Sequence, residues 1–140
     1  MPDTTQIPLS GAQVIAGLVA TELANSVLHL FQDSLAPNPG TPLADFTTAT
    51  ATFSGYAPVT VVSVGDPFIL GSSWAVEVTE RFDYDSGAGS VGNQIGGWYW
   101  VTAGGKLIEY GTFSPTRPAQ GDGQVIFVTA VLPIASGQVL

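Results

Sequence analysis

No cysteine occurs anywhere in the 140 residues, which excludes disulfides, thiolate nucleophiles and zinc–thiolate sites and leaves the redox compartment open. Basic charge is nearly as scarce. Arg81, Lys106 and Arg117 stand against 11 acidic residues, for a net charge of −8. So few bases cannot neutralise a phosphate backbone, and the negative field repels nucleic acid and anionic membrane surfaces alike. Neither is expected as a partner. With one histidine and no cysteine, only carboxylates remain as further metal ligands, and no metal or cofactor site is expected. No basic n-region precedes the apolar stretch 11–31, and Gln13, Glu22, Asn25 and His29 interrupt it, so no targeting or spanning segment is expected either.

Ions of both signs make up 10% of the chain, where soluble domains average roughly 25%. Much of the surface must then be Thr, Ser, Gly, Ala and exposed aliphatics. With 45% hydrophobic residues overall, such a surface is easiest to explain if parts of it lie against other subunits. A homo-oligomer is expected. The length suits one domain over 1–140, with residues 1–10 as an extended N-terminal arm.

Ten prolines and 17 glycines punctuate short apolar runs at the spacing of an all-β, antiparallel sandwich or jelly roll. The one helix candidate is LSGAQVIAGLVATELANS, residues 9–26, with Ser10 as N-cap and Val14, Ile15, Leu18, Val19 and Leu23 at helical spacing. SVLHLFQ at 26–32 reads as a strand closed by the turn-rich 34–42. VTVVSV at 59–64 reads as another, and FTTATATFSGYAP before it is ambiguous. In SWAVEVTERFD, residues 73–83, Trp74, Val76, Val78 and Phe82 alternate with Glu77, Thr79, Arg81 and Asp83, so one face meets the core and the other water.

IGGWYWVT and LIEYGTF flank Ala103-Gly104-Gly105-Lys106, a hairpin signal. With Gly104 and Gly105 as the turn, Val101 faces Ile108, Trp100 faces Glu109, Tyr99 faces Tyr110 and Trp98 faces Gly111. Ile95, Tyr99 and Val101 then share one face and Trp98 and Trp100 the other, so both faces need cover. Cover for the tryptophans comes from the same domain, with Trp98 over the bare Gly111 backbone, from a neighbouring subunit, or from a stacked sugar ring. Trp98, Trp100, Glu109 and Phe113 are the candidate interface. After SPTRPAQGDG, the closing run QVIFVTAVL at 124–132 is apolar on both faces, as in a central or covered strand.

Motifs with chemical meaning fail on context. Gly87, Gly89 and Gly92 match G-x-G-x-x-G, but strand material follows where a helix must begin, and Asp83 and Asp85 would repel a phosphate. DYDSGAG resembles half of a calcium loop, yet Ala88 and Gln94 stand where glycine and glutamate are required. His29 lies on the Val27/Phe31 face with no nucleophile elbow nearby, and reads as a packed side chain with one hydrogen bond. No catalytic residue is expected.

The segments LHLFQDSLAPNPGTPLADFTTAT, FSGYAPV and GGWYWVTAGGKLIEYGTFSPTRPAQGDGQVIFVTAVLP resemble a group of short tailed-bacteriophage structural proteins. Those share L-x-L-F near the start, A-D-F-T followed by G-Y-A, a G-Y-Y-V-T-D-x-x-G-x-L hairpin, and a closing apolar strand. The present chain has Ala103-Gly104 near the turn, where the group has Asp, and Trp98 and Trp100 in place of hairpin tyrosines. The resemblance implies a non-enzymatic virion component, assembled in the host cytoplasm. It would be a capsid decoration or cement protein that binds the major capsid protein or another virion protein, as an oligomer and preferably a trimer. The alternative is a carbohydrate- or receptor-binding module of a phage tail or spike, using Trp98, Trp100 or the loop at 84–94.

Overall fold

Period-two runs bounded by Gly and Pro make strands here, and two sheets stack because each has an apolar face to bury. The computed structural model describes residues 9–62, 64–71, 73–85, 92–119 and 124–136, with backbone alone for Leu9 and 134–136. In chain order the elements are α1 (Leu9–Glu22), β1 (Ser26–Gln32), α2 (Leu43–Thr48), β2 (Val59–Val61), β3 (Phe68–Leu70), β4 (Ser73–Asp83), β5 (Asn93–Val101), β6 (Leu107–Ala119) and β7 (Val125–Ser136). A four-stranded antiparallel sheet, β2-β1-β5-β6, packs against a three-stranded one, β3-β4-β7. The fold is an all-β sandwich with a short N-terminal helix. Of the expected arm, residues 1–8 lie outside the described residues, and Leu9 and Ser10 already belong to α1, so Ser10 is not its N-cap.

α1 buries a different stripe from the one its bulky residues suggest. Ala12 and Ala16 are fully buried, Ala20 and Val19 pack on the main core, and Leu23 closes it from the turn beyond. An alanine every fourth residue lets the helix axis come close to β4 and β7, which a Val or Leu ridge would hold off. Val14 and Leu18 are therefore left outside, 63% and 64% exposed, with Ile15 at 37%. Asn25, at φ 62°, ends the helical turn in the left-handed conformation that Asn tolerates.

β1 and β4 match their expected limits. β2 is shorter than the run at 59–64, since Val62 is already exposed. Beyond β2 the open side of β1 is finished by the 49–56 segment: Leu30 O accepts from Ala51 N at 3.0 Å, Gln32 N donates to Ala49 O at 2.8 Å, and Leu30 N donates to the Tyr56 hydroxyl at 3.1 Å. The ambiguous region thus holds α2 and an edge cap.

On the β5–β6 hairpin, Trp98↔Gly111, Tyr99↔Tyr110 and Trp100↔Glu109 pair as expected, but Val101 meets Leu107 instead of Ile108. The loop is Ala103-Gly104-Gly105, three residues where the sequence suggests two, so its centre falls half a residue earlier. Gly105 N bonds Thr102 O, Thr102 N bonds Lys106 O, and only Gly105, at φ 87°, is left-handed, as in a three-residue loop with a glycine bulge. A second bulge, between Trp100 and Val101, restores the original register. β6 continues to Ala119 through residues expected to be loop. Thr112–Arg117 bulges opposite Gly97–Ile95, and Pro115 and Pro118 are tolerated because β6 is an edge strand.

The largest correction concerns faces. Strict alternation groups Ile95 with Tyr99 and Val101, but a bulge at Gly96 inverts the parity. Ile95, Trp98 and Trp100 together enter the main core between the sheets, with Leu28, Leu30, Val76, Phe82 and Val128. Tyr99 and Val101 point to the outer side, where Phe31 and Phe46 complete a second, smaller core. α2 provides its lid: the Phe46 ring sits edge-on to Phe31 at 5.4 Å and tilted against Tyr99 and Tyr110 at 5.2 and 5.4 Å.

In the three-stranded sheet, Val76, Val78 and Phe82 face inward and Glu77, Thr79, Arg81 and Asp83 face outward, as the alternation predicts. A bulge between Trp74 and Ala75 leaves Trp74 half-buried and buries Ala75. β7 is an edge strand, paired with β4 alone among the described residues; α1 lies against it and Ile126, Val128 and Ala130 are buried, but Phe127 on its outer face is 56% exposed. No described helix is long and apolar enough to cross a membrane.

Candidate functional site

The β5–β6 hairpin brings the four expected interface residues together but gives them different environments. Trp100 is fully buried, and its indole N–H donates to Ser26 Oγ at 2.7 Å. Trp98 is 9% exposed and lies flat on the Gly111 backbone, so close that a Cβ on Gly111 would come within 2.4 Å of its Nε1. Neither indole presents a face to a subunit or a sugar. Both are core residues, because the Gly96 bulge turns them towards the second sheet. Burial of Trp98 and Trp100 is therefore completed inside the chain.

Glu109 and Phe113 remain near the surface. Glu109 stands opposite Trp100 on the edge strand, half-buried and without a hydrogen-bond or ion-pair partner among the described residues. Loss of solvent pushes its carboxyl up to about 7, because nothing nearby compensates the charge. Phe113 is half-buried, with the Arg117 guanidinium 3.9 Å from the centre of its ring. The same guanidinium donates from Nη1 to Phe127 O at 2.8 Å, tying β6 to β7 across the open side of the sandwich. Arg81 pairs with Asp83 at 2.7 Å on the solvent face.

His29 does share the outer face with Phe31, but its surroundings differ from a packed ring holding one hydrogen bond. The imidazole stacks on Tyr99 with centroids 4.5 Å apart and planes 6° from parallel, and its Nδ1 is buried with no partner among the described residues. Burial also holds its pKa below the usual histidine value, so the ring is neutral at pH 7. A cavity of about 370 Å³ adjoins it. Sequence reasoning missed this place, since α2 and the 50–58 segment that frame it follow no clear period.

The other uncovered features are apolar. From Leu9 to Thr21 α1 contains no charged residue, and Val14, Ile15 and Leu18 are exposed on it beside Ser10, Gln13 and Thr21. Ile69 and Leu70 on β3, and Phe127 on β7, are about half exposed on the second sheet. Among the described residues, no three His, Asp or Glu side chains gather as a metal site. Of the glycine-rich stretch and the loop at 84–94, residues 86–91 lie outside the described residues. No family model, curated protein or solved structure matches the chain.

Proposed function

We propose that this chain is a bacteriophage virion component, a decoration or cement protein that joins its own copies and the assembled shell through apolar, charge-poor surfaces. The observation that carries the reading is the outer face of α1. A helix anchored by alanines and free of charge until its last residue, with Val14 and Leu18 each more than 60% exposed, is costly to leave in water unless something covers it. The resemblance of segments 28–50, 53–59 and 96–133 to short tailed-phage structural proteins supplies the kind of partner.

Such a protein acts by mass action. Ligands that bind only the assembled lattice lower its free energy relative to dispersed subunits, and stabilisation grows as RT ln(1 + [L]/Kd). A trimer fits a site of local threefold symmetry. The net charge of −8 keeps decorated particles apart. A tail-module reading based on stacking sugars on indole loses its platform, since Trp98 and Trp100 are buried.

The test is add-back. Shells lacking the chain, incubated with purified protein, should retain it through sedimentation and release their contents at a higher temperature. Failure to co-sediment at micromolar concentration overturns the reading.

A further inference from the structure

The open edge of β7 can be read bond by bond. Tyr84 N donates to Gln124 O at 3.1 Å, one step beyond the β4–β7 ladder, and along an antiparallel pair bonded and non-bonded positions alternate. Ile126, Val128, Ala130 and Leu132 therefore exchange bonds with β4, while Phe127, Thr129 and Val131 turn their N–H and C=O groups away from it. Two contacts agree with this phase. The Arg117 guanidinium reaches Phe127 O at 2.8 Å from outside the sheet, and the Thr79 and Thr129 hydroxyls meet at 3.1 Å, as across a close non-bonded pair. Pro133 falls on the outward phase too, so its missing N–H costs the β4 ladder nothing.

Between Arg117 at one end and Pro133 at the other, the backbone N–H and C=O of Thr129 and Val131 meet no partner among the described residues. No charged side chain guards this edge anywhere from Val125 to Ser136. Such a row of donors and acceptors is answered by another strand, and the other described edges do not match it. β2 and β3 are three residues long, and β6 is bulged and carries Pro115 and Pro118. β7 itself does match.

A twofold axis at Ala130 would set Thr129 opposite Val131 of a second copy and exchange four backbone bonds. Ala130 would meet Ala130 at the close non-bonded position, where a larger side chain would crowd. Next along the strand Phe127 would meet Pro133 of the second copy, so the absent N–H falls opposite the one carbonyl that Arg117 already fills. An axis at Thr129 would instead aim the Val131 N–H at that occupied carbonyl. Charge does not oppose the contact, although each copy carries −8. Glu77 and Asp83 on the outer face of β4 would stand three strand spacings from β4 of the other copy, about 14 Å, beyond the screening length at physiological salt.

We propose that two copies of this chain join through β7, antiparallel about a twofold axis at Ala130, into one continuous six-stranded sheet. This contact goes beyond the shell-binding reading and does not rest on it, since it uses a different surface from the outer face of α1. Association through α1 would build on the pair.

With no native cysteine, introduced thiols report the register. Thr129→Cys mixed with Val131→Cys should form a disulfide-linked dimer under mild oxidation at least tenfold faster than either variant alone, because only the mixed pair faces across the axis. Val131→Pro deletes an N–H that points away from β4, so its Tm should stay near that of the parent. Sedimentation equilibrium should show its dimer, of twice the 14.4 kDa chain mass, weakened at least tenfold. The cysteine pair serves if Val131→Pro does not fold. Faster cross-linking by Thr129→Cys alone, self-association untouched by Val131→Pro, or a parent chain still monomeric at about 100 µM overturns the proposal. Shells take no part in these measurements, so a failure of co-sedimentation strikes the shell-binding reading alone.

Discussion

The indole N–H of Trp100 and the hydroxyl of Ser26, 74 residues apart in the chain, meet at 2.7 Å in a place neither can share with water. This bond joins the first residue of β1 to the strand beside it, and makes a large ring compatible with full burial. Ser26→Ala leaves the N–H unmatched and should cost about 1–3 kcal/mol by urea unfolding. Trp100→Phe combined with Ser26→Ala should cost less than the two single changes summed, since the orphaned donor is then gone.

Two glycines predict opposite outcomes for the same substitution. A Cβ at Gly111 would lie 2.4 Å from the Trp98 ring, which is packed in the core and cannot retreat. Gly111→Ala should destabilise by about 3 kcal/mol or more, visible as a lowered Tm and altered tryptophan fluorescence. At Gly17, in the middle of α1, a Cβ meets nothing within 4 Å. Gly17→Ala should stabilise by about 0.5–1 kcal/mol, through helix propensity and a less free unfolded chain.

Glu109 gives stability a pH dependence of unusual sign for a carboxylate. Its folded pKa is raised from 4.5 to about 7, so between these values the unfolded chain ionises while the folded one stays protonated. Stability should fall as pH rises from about 4.5 to about 7 and then level off. Glu109→Gln should remove that slope and stabilise by about 1–2 kcal/mol at pH 8, a figure reduced for solvent screening of a half-buried group. Denaturation midpoints of both proteins at pH 4.5 and 8 check it. His29 works the other way. Its lowered pKa means that stability present above about 6.5 is lost as acid protonates the unfolded chain.

Val14→Glu with Leu18→Glu puts charge on the uncovered side of α1 without touching the alanine stripe. Thermal stability should stay within about 1 kcal/mol, because both positions are exposed and Glu suits a helix. Binding to shells and self-association should fall at least tenfold, measured by co-sedimentation and analytical ultracentrifugation.

Where pattern and packing are local, the sequence is a sufficient guide: β1 and β4 end where their alternation ends, and the Trp98, Tyr99 and Trp100 pairings follow from the hairpin. The departures come from single-residue events with distant effects. Nothing in IGGWYWV announces that Gly96 bulges, yet that bulge decides which side of the sheet holds the indoles. The alanines of α1 outrank its larger residues because the sheet beneath admits only a close approach. The His29 cavity was not legible, since it arises where a six-residue helix fails to cover a sheet face, and helices that short leave little period to read.

The Arg117 clasp has a consequence for how this molecule meets others. One of its three cations spans two strands internally, and another is paired with Asp83 two positions along its own strand, leaving Lys106 at the hairpin tip. A surface with so few cations has little ionic attraction to lose to counterions, which screen mainly the repulsion among its carboxylates. Whatever it adheres to should hold as well in concentrated brine as in dilute buffer.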